Sequence, residues 1–265
     1  MNKLRTFLSL LGVMVGIFVI SAIFAVVDSM EDDLMESFSM LDDDVLFVSK
    51  WPWSMGGDYP WWKYIQRREP TLKDSNELAS RLTQASEVSF QMKAMFDLES
   101  GDNSFPNVAV AAVSHTYPNV VSIDIAKGRF FNDSESASGR GMAIIGYDVA
   151  MNLFGTEDAL GKKFKIAGQK LEVIGTFTQQ GASIVSNGFD EFVVVPATFA
   201  PRIFDTRNND GNTIMVKVKD GVDLAILKDE IIQQFRSVRR VRPSDVDDFS
   251  INQIEMLTGM ISSIF

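Results

Sequence analysis

The stretch that decides the architecture is residues 7–27, FLSLLGVMVGIFVISAIFAVV, a run of twenty-one residues without a charged side chain. As a helix rising about 1.5 Å per residue it spans ~30 Å, the thickness of the hydrocarbon core of a bilayer. A secretory signal peptide has a shorter apolar centre and a small-residue cleavage site, which Ala25-Val26-Val27 matches poorly. The run therefore predicts a retained membrane-spanning helix.

The charges on the two sides of this run differ in sign. Lys3 and Arg5 precede it. Five acidic residues follow it, namely Asp28, Glu31, Asp32, Asp33 and Glu36. Because positively charged flanks remain in the cytoplasm, we expect the amino terminus in the cytoplasm, the helix in the cytoplasmic (inner) membrane and everything after Val27 outside.

Two pairs of small residues, each four positions apart, lie within the run: Gly12 with Gly16, and Ser21 with Ala25. Small residues on one face of a membrane helix let another backbone approach closely. The pairs predict a helix-packing face. The alternative, that glycine is simply common in membrane helices, stays open.

The sequence after the run predicts a stalk. Residues 28–49 contain eight acids and no Lys or Arg. Apolar residues recur through the first half at helical spacing, at Val27, Leu34, Phe38 and Leu41. We therefore assign residues 1–41 to the membrane helix and an amphipathic stalk that continues it.

The carboxyl-terminal residues 247–265 have a polar beginning and an apolar end. Only Met256 to Phe265 lacks charge, about 15 Å of helix and half of what a crossing needs. Either this segment is a surface helix or the chain stops inside a second membrane helix. We favour the start of a truncated second membrane helix.

Residues 42–118 and 210–246 predict two parts of one α+β subdomain. Strand patterns are found at Val45–Lys50, Val88–Phe96, Asn107–Ser114 and Thr213–Lys219. Helix patterns are found at Thr71–Ser86 and at Leu224–Val238, the second with Asp223 as its amino-terminal cap.

Residues 119–209, between these parts, predict an inserted β-rich lobe. The expected elements are a strand at Met142–Ile145, a helix at Tyr147–Phe154 that Gly155 ends, a hairpin at Phe164–Phe177 with the turn Ala167-Gly168-Gln169, and a strand at Glu191–Pro196. The fold class is therefore α+β with a strand-rich insertion.

The composition excludes several kinds of chemistry. With 25 basic and 35 acidic residues the net charge is -10, which argues against nucleic acid as a partner. The absence of cysteine and the single histidine, His115, exclude disulfides, thiolate zinc sites and most metal and triad chemistry. We predict no catalytic, cofactor-binding or metal-binding residue in this chain.

Four segments, taken in order, resemble the MacB/FtsX-type ABC transporter permeases, most nearly the MacB-like group. They are KLRTFLSLLGVMVGIFVISAIFAVVDSM (3–30), IAKGRFFNDSES (125–136), MAIIGYDVAMNLFGTEDALGKKFKIAGQKLEVIGTF (142–177) and DDFSINQIEML (247–257). The most specific parts are Gly128-Arg129-Phe130-Phe131 and the run from Leu153 to Thr176.

The resemblance implies a fold and a function. In that family an extracytoplasmic domain, with a porter-like α+β subdomain and an inserted strand-rich (Sabre-like) lobe, lies between the first two of usually four membrane helices. The permeases work as homodimers with a nucleotide-binding domain, and ATP hydrolysis moves the external domains. The resemblance implies a mechanotransmitting export permease whose partners are an ABC ATPase subunit, a second permease, a periplasmic adaptor, an outer-membrane duct and the lipid bilayer. Efflux, lipoprotein release and control of wall hydrolases share this architecture, and the sequence leaves all three open.

The chain departs from the family in two respects. It has no GxxxxGK[ST] phosphate loop, so ATP would be bound by a partner subunit and this chain would bind no cofactor itself. The third and fourth membrane helices are also absent from the sequence.

All four tryptophans, Trp51, Trp53, Trp61 and Trp62, fall in WPWSMGGDYPWW. They predict either a platform for a partner protein, a sugar chain or the membrane interface, or a structural plug over one edge of the domain. A second cluster, Arg236, Arg239, Arg240 and Arg242, predicts charge balance with neighbouring acids, with an anionic partner as the less favoured reading.

Two other functions stay open. One is a single-pass, signal-anchored protein that binds an envelope component without coupling to ATP. The other, which we favour least, is an anchored hydrolase, which would need two carboxyl groups facing each other across a cleft.

Overall fold

The computed structural model describes residues 3–39, 43–53, 60–156, 158–180, 188–204 and 210–256. The helices are α1 (Lys3–Ser39), α2 (Trp61–Tyr64), α3 (Leu72–Ala79), α4 (Asp133–Ser138), α5 (Tyr147–Phe154) and α6 (Leu224–Arg239). The strands are β1 (Val45–Ser49), β2 (Ala85–Ser100), β3 (Asn103–Val113), β4 (Ile125–Gly128), β5 (Met142–Ile145), β6 (Lys163–Ile166), β7 (Gln169–Phe177), β8 (Phe192–Pro196), β9 (Thr213–Val218) and β10 (Ser250–Asn252).

Helix α1 joins the apolar run and the stalk in one element. Its section Phe7–Met30 is long and apolar enough to cross a membrane, and it is the one such helix in the described part of the chain. The backbone stays helical to Ser39, which confirms that the helix continues beyond the apolar run. The predicted end of the stalk at residue 41 lies outside the described residues.

The strands form one mixed sheet in the order β10-β1-β9-β2-β3-β8-β5-β7-β4, and β6 pairs with both β2 and β7. Among themselves the strands of residues 42–118 and 210–246 pair antiparallel, and β2 also pairs antiparallel with β6 of the later region. Those of residues 119–209 join through the parallel pair β3–β8, with Ala111 opposite Val194. The division into subdomains at residues 119 and 209 stays a prediction.

Strand β2 is the longest element of the sheet. Its 16 residues, at about 3.3 Å each, extend over roughly 50 Å. The first half pairs with β9, and the second half pairs with β3 and finally with β6. Strand β2 therefore pairs both with β9 of the α+β subdomain and with β6 of the predicted lobe.

One predicted helix is too long. The helix expected over Thr71–Ser86 ends at Ala79, and Ala85 already belongs to β2. Hydrogen bonding of Ala85 and the residues after it to β9 outweighs the helical spacing of Leu82. The start is as expected, because the Thr71 and Asp74 side chains form a capping box.

The remaining element predictions are confirmed with small shifts at their ends. The strands expected at Val88–Phe96 and Asn107–Ser114 are longer and form the β2–β3 hairpin. Asp223 caps α6 by accepting a hydrogen bond from the Ala225 amide. The β6–β7 turn has left-handed backbone at Ala167 and Gly168, as a two-residue hairpin turn requires.

Each face of the sheet carries a hydrophobic cluster. The larger cluster packs α3, α5 and α6 on one face through Leu78, Leu153 and Phe235. The other face is covered by the chain around Tyr117 and by Phe131.

The segment predicted to start a second membrane helix at residue 247 begins differently. Ser250–Asn252 is strand β10, and helical residues 254–256 follow it. Residues 257–265 lie outside the described residues, so a membrane helix in this segment stays a prediction.

Candidate functional site

The two chain segments that lead into and out of the domain lie side by side. β1 follows α1, and β10 precedes the helical residues 254–256. The strands are antiparallel, with Phe47 opposite Asn252 and Ser49 opposite Ser250. Ile254 is buried in the same cluster as Val45. The entry and exit of the domain are therefore directly hydrogen-bonded neighbours.

Asn252 connects this strand pair to Trp51 and Trp53. Its side chain is fully buried. Nδ2 donates to Ser49 Oγ at 2.9 Å and to the Trp51 carbonyl at 3.0 Å, while Oδ1 accepts from the Trp53 amide at 2.9 Å. An amide side chain with three such partners fixes Trp51 and Trp53 at one position, since each lost partner would leave a buried polar group unsatisfied.

Arg67, which follows the four tryptophans in the sequence, holds the same strand pair. Its Nη1 donates to the Lys50 carbonyl at 3.1 Å and to Ser250 Oγ at 2.7 Å. The guanidinium lies 4.6 Å from the centre of the Tyr64 ring. Arg67 thus joins the end of β1, the start of β10 and α2.

A buried lysine and two acids lie at the end of β1. Lys50 Nζ donates to Asp210 Oδ1 at 2.9 Å and lies 3.7 Å from Glu69 Oε1, with 8% of the lysine side chain exposed. Burial raises the pKa of the Glu69 carboxyl to about 7, the nearby Asp210 adds to this, and Lys50 opposes it. The hydrogen bond from Lys50 lowers the pKa of Asp210.

Two arginines of α6 bind the loop that leads to β10. Arg236 pairs with Asp247, and its other nitrogen donates to carbonyl oxygens of the same loop. Arg239 is completely buried, donates to Asp248 Oδ2 at 3.2 Å and lies 3.6 Å from Asp74 Oδ2. For these two residues the charge-balance prediction is confirmed.

The four tryptophans divide into two pairs. Trp51 and Trp53 are half-buried, and the Trp53 ring packs 5.0 Å from that of Phe47. Trp61 and Trp62 are 54% and 57% exposed, and their rings meet edge to face at 6.1 Å. The first pair therefore fits the structural reading and the second fits the reading as a surface for a partner, which stays a prediction.

The four small residues of the membrane helix lie on exposed α1 surface. A side chain added at Gly12 or Gly16 would meet nothing within 4 Å. Close approach of another helix at Gly12, Gly16, Ser21 and Ala25 stays a prediction.

The motif Gly128-Arg129-Phe130-Phe131 has structural roles. Gly128 has φ +82°, and a Cβ there would overlap the Ile174 carbonyl of β7. Arg129 forms a two-pronged pair with Glu135 at 2.6 and 2.7 Å, and Phe131 is buried. Gly128 therefore lets β4 lie close to β7, while Arg129 holds α4 and Phe131 packs in the second hydrophobic cluster.

Within the described residues no group of three or more His, Asp and Glu side chains could hold a metal ion. His115 Nδ1 lies 3.4 Å from Asp133 Oδ1 beside an open groove of about 400 Å³. The features with the densest polar contacts are instead those around β1 and β10. The roles of four residues could not be predicted from the sequence, because their partners are distant in the chain: Lys50, Arg67, Glu69 and Asn252. Of these, Asn252 alone lies in a segment that carries the family resemblance, DDFSINQIEML.

A family model described as the MacB-like periplasmic core domain matches residues 6–234. The chain belongs to this family. The resemblance inferred from the sequence is confirmed, and so is the fold class, an amino-terminal apolar helix followed by an α+β domain of MacB-like type.

Named relatives agree with the family. The macrolide export ATP-binding/permease protein MacB of Marinobacter nauticus is 25% identical over 265 residues, covering 98% of this chain and 38% of the relative. The pyoverdine export ATP-binding/permease protein PvdT of Pseudomonas aeruginosa is 23% identical over 214 residues, covering 78% and 30%. The chain thus spans well under half the length of these relatives.

Solved structures share the fold. The periplasmic region of MacB from Actinobacillus actinomycetemcomitans has a TM-score of 0.66 at 15% identity and covers 85% of this chain and 95% of that one. The extracellular domain of the noncanonic ABC-type transporter YknZ from Gram-positive bacteria has a TM-score of 0.59 at 18% identity, covering 78% and 98%. A MacB-like periplasmic domain with an apolar helix before it fits an extracytoplasmic domain of an ABC transporter permease anchored in the inner membrane.

Proposed function

We propose that this chain is the permease part of a mechanotransmitting ABC export system of MacB-like type. ATP hydrolysis takes place on a separate ABC ATPase subunit, and no residue here performs covalent chemistry. The amino terminus lies in the cytoplasm and the main domain outside. Movement of the membrane helices passes through the stalk into the external domain, which acts on cargo together with a second permease, a periplasmic adaptor and an outer-membrane duct.

The observation that carries the proposal is the pairing of β1 with β10. Both segments directed at the membrane enter the sheet through one hydrogen-bonded pair, reinforced by Asn252 and Arg67. Displacement of either segment therefore moves the same edge of the sheet. This shared connection supports a domain that responds to movement of the membrane helices.

The absence of cysteine makes a direct test simple. Lys165→Cys, on the exposed side of β6, is spin-labelled in the complete permease with its ATPase in proteoliposomes. We expect the distance between labels on two copies to differ between the nucleotide-free state and a hydrolysis-blocked, ATP-bound state. Identical distance distributions in both states would favour the anchored binding protein that never couples to ATP.

Orientation has its own test. A membrane-impermeant maleimide applied to intact cells should label Lys170→Cys in the β6–β7 hairpin. Protection of this cysteine until the cells are broken would place the domain in the cytosol and reject the proposal.

A further inference from the structure

A lysine and two carboxyl groups meet where β1 ends and β9 begins. Lys50 directly follows Ser49, the last residue of β1, which is paired with Thr213, the first residue of β9. Asp210 lies just before β9 and accepts a hydrogen bond from Lys50 Nζ at 2.9 Å. Glu69 Oε1 lies 3.7 Å from the same nitrogen. One cation therefore faces two acids at this end of the strands.

The two acids differ in exposure. The Asp210 side chain is 69% exposed, whereas the side chains of Glu69 and Lys50 are 14% and 8% exposed. Glu69 Oε2 accepts a hydrogen bond from the Asn212 amide at 3.2 Å. Its Oε1 is buried and accepts no hydrogen bond within the described residues. A buried oxygen in this position needs either a proton of its own or a cation in direct contact.

A proton on Glu69 satisfies this oxygen. The carboxyl groups of Glu69 and Asp210 lie within hydrogen-bonding reach of each other. Two carboxyl groups can share a hydrogen bond only when one of them is protonated. Burial raises the pKa of Glu69 to about 7, and Asp210 adds to this rise. The hydrogen bond from Lys50 lowers the pKa of Asp210. The shared proton therefore belongs to Glu69.

The nearby arginines are engaged elsewhere. Arg68 pairs with Asp74 at 3.2 Å. Arg67 donates to one oxygen at the end of β1 and to another at the start of β10. Within the described residues, Lys50 and Asp210 are the charged side chains that shift the pKa of the buried carboxyl.

Loss of the proton changes which acid Lys50 has to hold. A buried carboxylate without a counter-ion costs far more free energy than an exposed one. Lys50 Nζ needs to move only about 1 Å to come from 3.7 Å into hydrogen-bonding distance of Glu69 Oε1. Asp210, which is largely exposed, is solvated by water when it is released. The cluster therefore has two pairings, and a single proton selects between them.

We propose that Lys50, Glu69 and Asp210 form a proton-operated latch beside the β1–β10 pair. With a proton on Glu69, Lys50 holds Asp210 and thereby fixes the segment that leads into β9. Without that proton, Lys50 turns to Glu69 and Asp210 is released. The inference rests on the proposed function for its consequence, which is that the proton concentration outside the membrane sets how firmly the edge shared by the two membrane-directed segments is held.

Trp51 reports the position of Lys50, since Nζ lies 5.1 Å from the centre of its ring. The full-length chain, with His115→Gln so that no imidazole titrates, is labelled with 5-fluorotryptophan in detergent micelles. We expect the fluorine signal of Trp51, assigned by Trp51→Phe, to shift with a midpoint near pH 7. The signals of the exposed Trp61 and Trp62 should show no such midpoint. Absence of a Trp51 midpoint between about pH 6 and 8 would overturn the proposal.

Two substitutions separate the two pairings. Glu69→Gln keeps a hydrogen-bond donor that cannot ionise, so the Trp51 signal should stay at its low-pH position throughout. Asp210→Asn removes an acid that raises the pKa of Glu69, so the midpoint should fall by about one pH unit or more. Glu172→Gln, on exposed β7 surface, is the matched control and should keep the original midpoint. A Glu69→Gln chain that still titrates near pH 7, or an Asp210→Asn chain with an unchanged midpoint, would contradict the latch.

The result is separable from that of the proposed function. If the Lys165→Cys labels respond to ATP but Trp51 does not titrate near pH 7, this inference alone is overturned. If Trp51 titrates as expected but the labels do not respond to ATP, the latch is supported and the coupling to ATP is rejected.

Discussion

The two edges of the sheet are held together by different chemistry. At the β10 edge, polar side chains join segments about two hundred residues apart, as in the bonds from Asn252 to Ser49 and Trp51. On the β4 side of the sheet, which comprises β8, β5, β7 and β4, backbones approach so closely that only glycine fits at two positions: Gly128 beside β7, and Gly146 beside residues 189–190 before β8. The comparison indicates that the β10 edge depends on side-chain hydrogen bonds between distant parts of the chain, whereas the β4 side depends on close backbone packing.

The largest expected effect on stability comes from a substitution on the β4 side of the sheet. A Cβ at Gly146 would overlap the carbonyl oxygens of Phe189 and Asp190. Gly146→Ala should therefore lower the free energy of unfolding by about 3 kcal/mol or more, measured by urea unfolding in detergent micelles. Gly155→Ala, at the other end of α5 and in open space, is the control and should cost only about 1 kcal/mol for its left-handed backbone. A smaller loss of unfolding free energy for Gly146→Ala than for Gly155→Ala would show that close backbone packing does not stabilise the β4 side.

The next effect tests the β10 edge. Asn252→Ala removes three hydrogen bonds and leaves the Trp53 amide without its partner. We expect a loss of about 2 to 3 kcal/mol in unfolding free energy. Faster amide hydrogen exchange at Trp53 and Ile251 should accompany it. Asn119→Ala, which loses one exposed bond to Glu87, is the control. If the two variants were equally stable, the side-chain contacts of Asn252 would not hold the edge.

The third prediction concerns pH at the β10 edge. The pKa of Glu69 is raised from 4.5 to about 7, so between these values the folded chain binds a proton that the unfolded chain has lost. The stability that this group contributes is complete below about pH 4.5 and is lost as the pH rises through 7, by about 3 kcal/mol. Glu69→Gln should flatten the dependence of unfolding free energy on pH over this range. Glu172→Gln, on half-exposed β7 surface, should keep the wild-type slope, and an unchanged slope for Glu69→Gln would rule out this assignment.

The smallest effect lies in the β6–β7 hairpin. Lys165 and Lys170 are directly opposite each other, an unfavourable pair of like charges. Lys170→Glu should raise the melting temperature slightly, by the equivalent of about 0.2 to 1 kcal/mol. The control is Lys127→Glu, in β4 opposite Thr176 of β7, which makes the same charge change without relieving a like-charge pair. A gain that is equal in both variants would mean that net charge, rather than the cross-strand pair, is responsible.

The sequence predicts helices and strands well where the local spacing of apolar residues determines them. It predicts them poorly where pairing with a distant part of the chain determines them. The helix Tyr147–Phe154 and the strand Met142–Ile145 follow from local pattern and are confirmed. The helix predicted to reach Ser86 is wrong, because its last residues pair with β9 from the other end of the chain. The pairing of β1 with β10 could not be inferred, since three residues of β10 carry too little periodicity to mark a strand.

The same limit applies to the candidate site. Clustered tryptophans and arginines are visible in the sequence, but which of them are buried is not. Arg239 is enclosed by acids from α3 and the loop before β10, whereas Trp61 and Trp62 remain in solvent. The raised pKa of Glu69 depends on burial beside Asp210, and no local pattern contains that information.

The parallel pairing of β3 with β8 has a practical consequence for trimming the domain. Ala109 to Val113 bond to Phe192 to Pro196 along their length. Removal of residues 119–209 would strip this partner away and leave an apolar strand with open amide and carbonyl groups. Such an edge invites sheet formation between molecules and precipitation, so a shortened version that stays in solution has to retain β8.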